Sequence, residues 1–255
     1  RDRKKITENW NDGAAAAGKR RTHCVRNTSG LSQPCCVSGG KPEGRGGKEM
    51  TAKKVVRNIE PDDPMLQYSG RIDDDDPKAP VLIYAASWVK MIFTGTSVAV
   101  TLANHHAYWT NEMGYLLDGV QGRIRLLNDG KKKTYEIAGQ LPDARHELML
   151  FKRMDACHTV TFYGFTVDGG ADLLPPESKS ARRMEVFGDS VSCGEVSEAV
   201  DYVGKEDPVH DGQYSNSWYS YAWMTARKLG AELHDTSQGG IALLDGTGWF
   251  GAPAY

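Results

Sequence analysis

Long apolar runs are missing from this chain of 255 residues. No stretch approaches the ~18–20 residues that a membrane-spanning helix needs, so an integral helical membrane protein is excluded. No apolar signal segment follows either Arg1 or Met50. With 40% hydrophobic and 25% charged residues, the chain is typical of a soluble globular protein, and we expect it in the cytoplasm.

Cysteine is scarce, and most of it lies near the N-terminus. Three of the five cysteines are Cys24 and the pair Cys35-Cys36, which leaves Cys157 and Cys193 for the rest of the chain. No Cys-x-x-Cys or Cys/His spacing of a zinc site is present. The low cysteine content of the remainder fits a reducing compartment.

The sequence offers no convincing metal site. Adjacent side chains on an extended segment point to opposite faces, so His105-His106 makes a poor metal-binding pair. The run Asp73–Asp76 lacks the spacing of a calcium loop and is better interpreted as a solvated turn. We therefore predict no metal and no cofactor.

The N-terminal segment differs in charge from the rest. Residues 1–49 hold 11 Lys/Arg and 5 Asp/Glu, a balance of +6, whereas residues 50–255 hold 20 and 28, a balance of −8. The segment lacks hydrophobic periodicity, so we expect residues 1–60 to be disordered or non-native sequence, with the natural protein beginning at Met50. A basic nucleic-acid-binding arm is the alternative, but we predict neither a nucleic-acid nor a membrane partner.

Short strand-like runs follow. Ser97–Leu102 alternates apolar and polar residues, as a half-buried strand does, and Asn128-Asp129-Gly130 is typical of a hairpin turn. Further runs are Val81–Tyr84, Val89–Phe93, Tyr115–Val120, Arg123–Leu127, Thr134–Ile137, Glu147–Phe151 and Thr159–Val167. About eight strands at this spacing predict an all-β sandwich, such as a jelly roll, over residues 66–170.

The pattern changes after a predicted linker at residues 175–181. Met184–Phe187 is typical of a compact buried strand, Asn216–Leu229 of a helix and Ala231–His234 of the next strand. This order is the opening of a parallel α/β sheet, so residues 182–255 are predicted to be the first part of an α/β domain.

The predicted helix has recognisable ends. Ser215 or Asn216 can cap its start, and Gly230 can end it in the left-handed conformation. One face would carry Trp218, Tyr221, Ala222, Thr225 and Leu229.

Gly188-Asp189-Ser190 at the end of the strand Met184–Phe187 is the strongest functional signal. Glycine tolerates a sharp turn, which would lift the Ser190 hydroxyl above the sheet edge as a nucleophile. Asp189 would bond to backbone groups around this turn.

Ordered short motifs accompany the serine. They are Tyr68–Arg71, Phe93–Ser97, Leu117-Asp118-Gly119, His146-Glu147-Leu148, Lys152-Arg153, Phe162–Phe165, Arg183–Ser190 and Ser237–Gly240. In this order, the chain resembles carbohydrate esterase family 2 of the SGNH (GDSL-type) hydrolases over residues 66–245. The resemblance implies a β-sandwich followed by an SGNH-type α/β domain that removes acetyl groups from xylan, mannan or their oligosaccharides.

The resemblance also implies the roles of several residues. Ser190 matches the nucleophile that forms an acyl-enzyme, and its N–H would donate to the oxyanion together with Gly240 or, less favourably, Gly239. No histidine matches the general base, which lies close to the C-terminus in the superfamily, so we expect a C-terminally truncated, inactive piece. His234 and His210 are the substitutes to test first.

Aromatic residues supply candidate sugar platforms. Tyr214 and Trp249 flank turns and are the better candidates, whereas Trp218 and Trp223 fit a helix core. Two alternatives stay open: a carbohydrate-binding or interaction module without catalysis, and another SGNH-type lipase or thioesterase.

Overall fold

The computed structural model describes residues 55–209 and 211–248. Fourteen strands and two α-helices occur in this part of the chain. The strands are β1 (Val56–Ile59), β2 (Gln67–Ser69), β3 (Ile72–Asp73), β4 (Val81–Leu82), β5 (Trp88–Gly95), β6 (Val98–His105), β7 (Glu112–Leu117), β8 (Val120–Arg125), β9 (Lys133–Ala138), β10 (Ala144–Lys152), β11 (Thr159–Asp168), β12 (Leu173–Leu174), β13 (Arg182–Gly188) and β14 (Ala231–Ser237). The helices are α1 (Ser190–Cys193) and α2 (Tyr221–Leu229), with 3₁₀ turns at Val200–Tyr202 and Ser217–Tyr219.

Two six-stranded antiparallel sheets form the larger part of the fold. One has the order β3-β4-β11-β6-β9 with β1 beside β11, and the other has the order β12-β5-β10-β7-β8 with β2 beside β5. Apolar side chains from both sheets share one core, among them Val100 and Phe162 from the first sheet and Phe93 and Leu148 from the second. This arrangement confirms a predominantly β fold; the jelly-roll topology and the domain division stay predictions.

β6 explains how the alternating sequence produces this packing. Val98, Val100 and Leu102 are buried, while Ala99 and Thr101 between them are partly exposed. Successive side chains of a strand point to opposite faces, so a period of two places Val98, Val100 and Leu102 on the core side. The predicted half-buried strand is confirmed.

The predicted hairpin at Asn128-Asp129-Gly130 is wrong. β8 pairs with β7 in one sheet and β9 pairs with β6 in the other, so the segment crosses between sheets. The hairpin in this region joins β7 to β8 through Asp118-Gly119, where Leu117 pairs with Val120. Both turn residues have positive φ, 51° and 80°, as a two-residue type I′ turn requires.

β1 falls inside the segment that was predicted to be irregular. Residues Val56–Ile59 pair antiparallel with Phe165–Asp168 of β11, so the segment 1–60 has regular structure at its C-terminal end. The hydrogen bonds between the two strands are made by backbone N–H and C=O groups, so β1 can pair although its sequence is not strongly apolar. Residues 1–54 lie outside the described part of the chain.

β13 and β14 form a two-stranded parallel sheet, from Arg182 beside Ala231 to Gly188 beside Ser237. The predicted compact buried strand Met184–Phe187 is longer than expected and only half-buried, with Phe187 56% exposed. Its Met184 and Val186 face a second core, whereas the alternate residues lie on the opposite face.

The helix begins later than predicted. Asn216 caps the 3₁₀ turn, and Ser220 caps α2 by accepting from the Trp223 N–H at 3.1 Å. This break rotates the buried face to Ala222, Trp223 and Ala226, and leaves Tyr221 and Leu229 about half exposed. Gly230 ends α2 at φ 60°, which confirms the predicted C-cap.

The second core connects the sandwich to the α/β residues. It joins Trp88 and Phe151 of the sandwich to Trp223 of α2 and Leu233 of β14, and the Phe151 and Trp223 rings meet edge to face at 5.2 Å. Trp218 packs against the same cluster, so the predicted core placement of both tryptophans is confirmed. The described residues belong to one compact unit.

Candidate active site

Ser190 lies where β13 passes into α1 and is its first helical residue. Asp189 before it is extended, with φ −104° and ψ −152°, and its Oδ1 accepts from the Val191 N–H at 3.0 Å. This bond satisfies one of the free N–H groups of the first helical turn, the role of an N-cap. Asp189 therefore bonds to the turn rather than pointing to another side chain.

Gly188 is needed for close packing rather than for a left-handed conformation, because its φ is not positive. A Cβ at this position would overlap the Ser192 Oγ and lie 2.7 Å from the Ser192 Cβ. The Ser192 Oγ lies 2.9 Å from the Tyr221 hydroxyl, so it is held in place. The sequence-based reason for glycine here, tolerance of a sharp turn, is replaced by proximity to Ser192.

The glycine pair Gly239-Gly240 follows the neighbouring strand β14 at the same end of the parallel sheet. The Gln238 N–H donates to the Gly188 carbonyl at 3.1 Å, which links the two loops. Carboxyl ends of parallel strands are the usual place for ligands in open α/β sheets. The structure thus brings the Ser190 turn and the glycine pair to one edge.

The two glycines differ in what their N–H groups do. The Gly239 N–H donates to Asp155 Oδ2 at 2.7 Å. Within residues 55–209 and 211–248, the N–H groups of Gly240 and Ser190 have no hydrogen-bond partner. These two N–H groups are free to donate to a ligand, whereas the N–H of Gly239 is occupied.

Asp155 comes from the sandwich, in the loop that follows β10. It is 6% exposed, and its Oδ1 accepts from the Cys157 N–H at 3.3 Å. Lys152 beside it is fully buried, and its Nζ donates to the carbonyls of Met154, at 2.7 Å, and Asp155. Burial lowers the pKa of Lys152 to about 8, although the charge of Asp155 opposes this shift.

Two carboxyl groups near the site have raised pKa values. Burial, followed by the charges of Asp155 and Asp189, raises the pKa of Glu195 to about 7. Burial also raises the pKa of Asp235 to about 7, while the bond from the Ser237 hydroxyl opposes that shift. An acid near neutrality can exchange protons at ordinary pH, but neither group bonds to Ser190 among the described residues.

None of the described histidines bonds to Ser190, although His158 lies in the Asp155 loop, where its backbone N–H donates to the Asp155 carbonyl at 3.4 Å. His234 of β14 lines a groove of about 420 Å³ together with Arg183, Glu232 and Tyr68. In the part of the chain that the structure describes, no histidine is hydrogen-bonded to Ser190. His210 lies outside the described residues, so its prediction is untested.

The predicted sugar platforms are only partly described. Tyr214 is half-buried, with its ring 6.1 Å from that of Tyr202. Trp249 lies outside the described residues. The sequence pattern did not reveal Asp155 or Glu195, and it gave Lys152 no role beyond the motif Lys152-Arg153. Nothing in a linear pattern shows that Asp155 of the sandwich becomes buried beside a loop 84 positions away.

The fold and the serine turn define a two-part architecture, an antiparallel sandwich joined to parallel strands that carry a Gly-Asp-Ser turn. Residues 68–176 match the family described as Carbohydrate esterase 2 N-terminal. The predicted resemblance to carbohydrate esterase family 2 is confirmed, and the match lies in the N-terminal domain of that family.

Curated relatives agree with this assignment. The chain is 31% identical over 193 residues to the cellulase/esterase CelE of Acetivibrio thermocellus, covering 75% of this chain and 22% of that protein. It is 26% identical to the acetylxylan esterase/glucomannan deacetylase of Cellvibrio japonicus, covering 74% of this chain and 51% of that protein. The chain therefore spans about half or less of the length of these relatives.

Solved structures have the same fold. A family two carbohydrate esterase from Clostridium thermocellum in complex with cellohexaose superposes with a TM-score of 0.65 at 29% identity, covering 74% of this chain and 55% of that chain. One from Cellvibrio japonicus superposes with a TM-score of 0.67 at 23% identity, covering 79% and 57%.

Proposed function

We propose that this chain belongs to a serine esterase that removes acetyl groups from acetylated plant polysaccharides or oligosaccharides, including xylan and mannan. The observation that carries the proposal is the position of Ser190 at a helix start, beside the Gly239-Gly240 loop. The name of one relative, acetylxylan esterase/glucomannan deacetylase, supports the acetyl group as the one removed.

The reaction would begin with attack of the Ser190 Oγ on the acetyl carbonyl carbon. The carbonyl oxygen becomes an oxyanion and accepts from the N–H groups of Ser190 and Gly240. The sugar hydroxyl then leaves with a proton, and water hydrolyses the acetyl-serine to release acetate. Donors that are fixed before the charge develops stabilise the tetrahedral state, and losing one such donor typically costs ~10²–10³-fold in rate.

The general base would be supplied by a residue outside the described ranges. A serine hydroxyl is a weak nucleophile without a base, and positioned proton transfer contributes about 10²–10⁴-fold. An assay should therefore compare the 255-residue chain with the natural full-length protein.

Ser190→Ala tests the nucleophile. We expect acetate release from acetylated xylan and glucomannan by the full-length protein to fall at least about 10³-fold. Ser192→Ala is the matched control, since Ser192 lies two residues away and bonds to Tyr221 instead of facing the loop of Gly240. Activity that survives Ser190→Ala would contradict the proposal, and a preference for long acyl chains would support a lipase or thioesterase.

A second candidate is carbohydrate binding without catalysis. The observation that favours it is the solved relative that holds cellohexaose. Calorimetric titration of the wild type and Ser190→Ala with cello-oligosaccharides separates the two. Binding without any acetyl release by the full-length protein would favour the binding module, and Tyr214→Ala would test the predicted stacking platform.

A further inference from the structure

We propose that Asp155 of the sandwich is a positioning residue for the oxyanion loop, so that the sandwich helps to build the active site. This inference rests on the proposed esterase function. Its starting observation is the bond from the Gly239 N–H to Asp155 Oδ2 at 2.7 Å, which links residues 84 positions apart.

The bond fixes the residue immediately before the candidate donor Gly240. The Gly239 N–H is taken by Asp155, and the Gln238 N–H is taken by the Gly188 carbonyl at 3.1 Å. With two consecutive amides anchored, the next N–H is constrained in direction. Hydrogen bonds to a carboxylate are about twice as strong as neutral ones, so Asp155 suits this role.

Asp155 is itself held from the sandwich side. The buried Lys152 Nζ donates to the backbone carbonyls of Met154 and Asp155, and the Cys157 N–H donates to Asp155 Oδ1. The Lys152 backbone is anchored in turn, because its N–H donates to the Ser87 carbonyl at 2.8 Å. These contacts give the carboxylate a rigid support, which is what a positioned site needs.

The close approach of Asp155 also accounts for glycine at position 239. A Cβ there would lie 2.7 Å from Asp155 Oδ2 and 3.4 Å from Glu195 Oε2. The φ of Gly239 is not in the left-handed region, so an alanine meets a steric obstacle rather than backbone strain. Asp155 and Gly239 are therefore complementary in shape as well as bonded.

The test uses the full-length protein and begins with Asp155→Ala and Asp155→Asn. We expect Asp155→Ala to lower kcat about 10–100-fold with KM within twofold, because displacing a reacting group by about 1 Å can cost ~10²-fold. Asp155→Asn keeps an acceptor oxygen, so its kcat should fall by less than about tenfold. Labelling of Ser190 by a fluorophosphonate should slow in parallel, since that adduct also uses the oxyanion donors.

A double-mutant cycle with Gly239→Ala separates positioning from general destabilisation. In the Asp155→Ala background the carboxylate that obstructs a Cβ at position 239 is gone. The fold reduction in kcat caused by Gly239→Ala should therefore be at least about threefold larger in the wild type than in Asp155→Ala. Asp168→Asn is the matched control, because Asp168 accepts from the Thr96 N–H within the sandwich. This variant should lose stability with kcat unchanged.

The outcomes separate this inference from the proposed function. If the wild type is active and Ser190→Ala is not, but folded Asp155→Ala keeps its kcat within twofold, the inference alone is overturned. Activity that survives Ser190→Ala overturns the proposed function first. If Asp155→Ala does not fold, Asp155→Asn and Gly239→Ala test the positioning role instead. An unchanged kcat in both of these variants overturns that role.

Discussion

His146 Nδ1 lies 2.7 Å from Asp118 Oδ2, which ties strand β10 to the turn between β7 and β8. The His146 Nε2 lies 2.8 Å from the Pro142 carbonyl, and the Glu147 N–H donates to Asp118 Oδ1. A histidine with an oxygen acceptor at each ring nitrogen is best satisfied when both nitrogens carry protons.

This pair predicts a pH-dependent contribution to stability. Burial opposes the charge on His146, but the bonds to Pro142 and Asp118 raise its pKa above 6.5. The pKa of Asp118 is lowered below 3.8: burial opposes this shift, and the bonds from Glu147 and His146 outweigh it. The histidine contribution is therefore full below pH 6.5 and is lost as pH rises through its raised pKa. The Asp118 contribution is full above pH 3.8 and is lost as pH falls through its lowered pKa.

Asp118→Asn should consequently lower stability most between about pH 4 and 6.5, by about 1 kcal/mol or less because the Asp118 side chain is 44% exposed and the pair is screened by solvent. Urea unfolding across this range measures the effect. An equal loss at pH 5 and pH 9 would show that the ion pair is not the cause.

The turn itself offers a backbone test. Gly119 has φ +80° and open space where a Cβ would stand, so Gly119→Ala isolates the cost of the left-handed conformation. We expect a loss of about 1–2 kcal/mol. Gly170→Ala is the control, since Gly170 also has open space but no positive φ, and thermal melting should leave it within about 0.5 kcal/mol of the wild type.

Asp118-Gly119 also shows what the sequence could have revealed. Asp-Gly between apolar runs is a strong hairpin signal, and it was available in Leu117-Asp118-Gly119. Asn128-Asp129-Gly130 has the same local chemistry, yet its flanking strands lie in different sheets. Local turn preference fixes the backbone of a loop, whereas strand pairing depends on contacts made far along the chain.

The candidate site likewise contains residues whose position could be predicted from the sequence and one whose position could not. Ser190, Asp189 and the glycine pair follow predicted strands, so their common edge could be predicted from parallel β-α-β topology. Asp155 reaches Gly239 across 84 positions and carries no motif of its own. Only the packing of the sandwich against α2 and β14 brings it there.

Gly188→Ala should disturb the serine turn by overpacking. Its Cβ would overlap the Ser192 Oγ, so we expect a loss of about 1–3 kcal/mol and a lower kcat. Ser192→Gly removes both the oxygen and the Cβ that are approached, and the double variant should recover part of the loss. Melting and acetate release measured on both single variants and the double variant check this, and purely additive losses would contradict it.

Glu195→Gln should stabilise the protein at alkaline pH. The pKa of Glu195 is raised from 4.5 to about 7, first by burial and then by neighbouring carboxylates, so the folded state holds its proton longer than the unfolded state. Stability therefore falls as pH rises from about 4.5 to 7, and the fall is complete above the folded pKa. Glutamine cannot ionise, so the variant should melt a few degrees above the wild type at pH 8.5 and match it near pH 4.5.

A second carboxyl group contributes to the same pH dependence. The pKa of Asp235 is also raised to about 7, and Asp235 is still present in the Glu195→Gln variant. Part of the pH dependence should therefore persist until Asp235→Asn is added. Glu198→Gln is the contrasting variant, because Glu198 accepts from the buried Arg153 at 2.7 Å and its neutral form should lower stability at pH 8.5. A Glu195→Gln protein that melts below the wild type at pH 8.5 would show that the Glu195 carboxylate is stabilised in the fold, contrary to the burial argument.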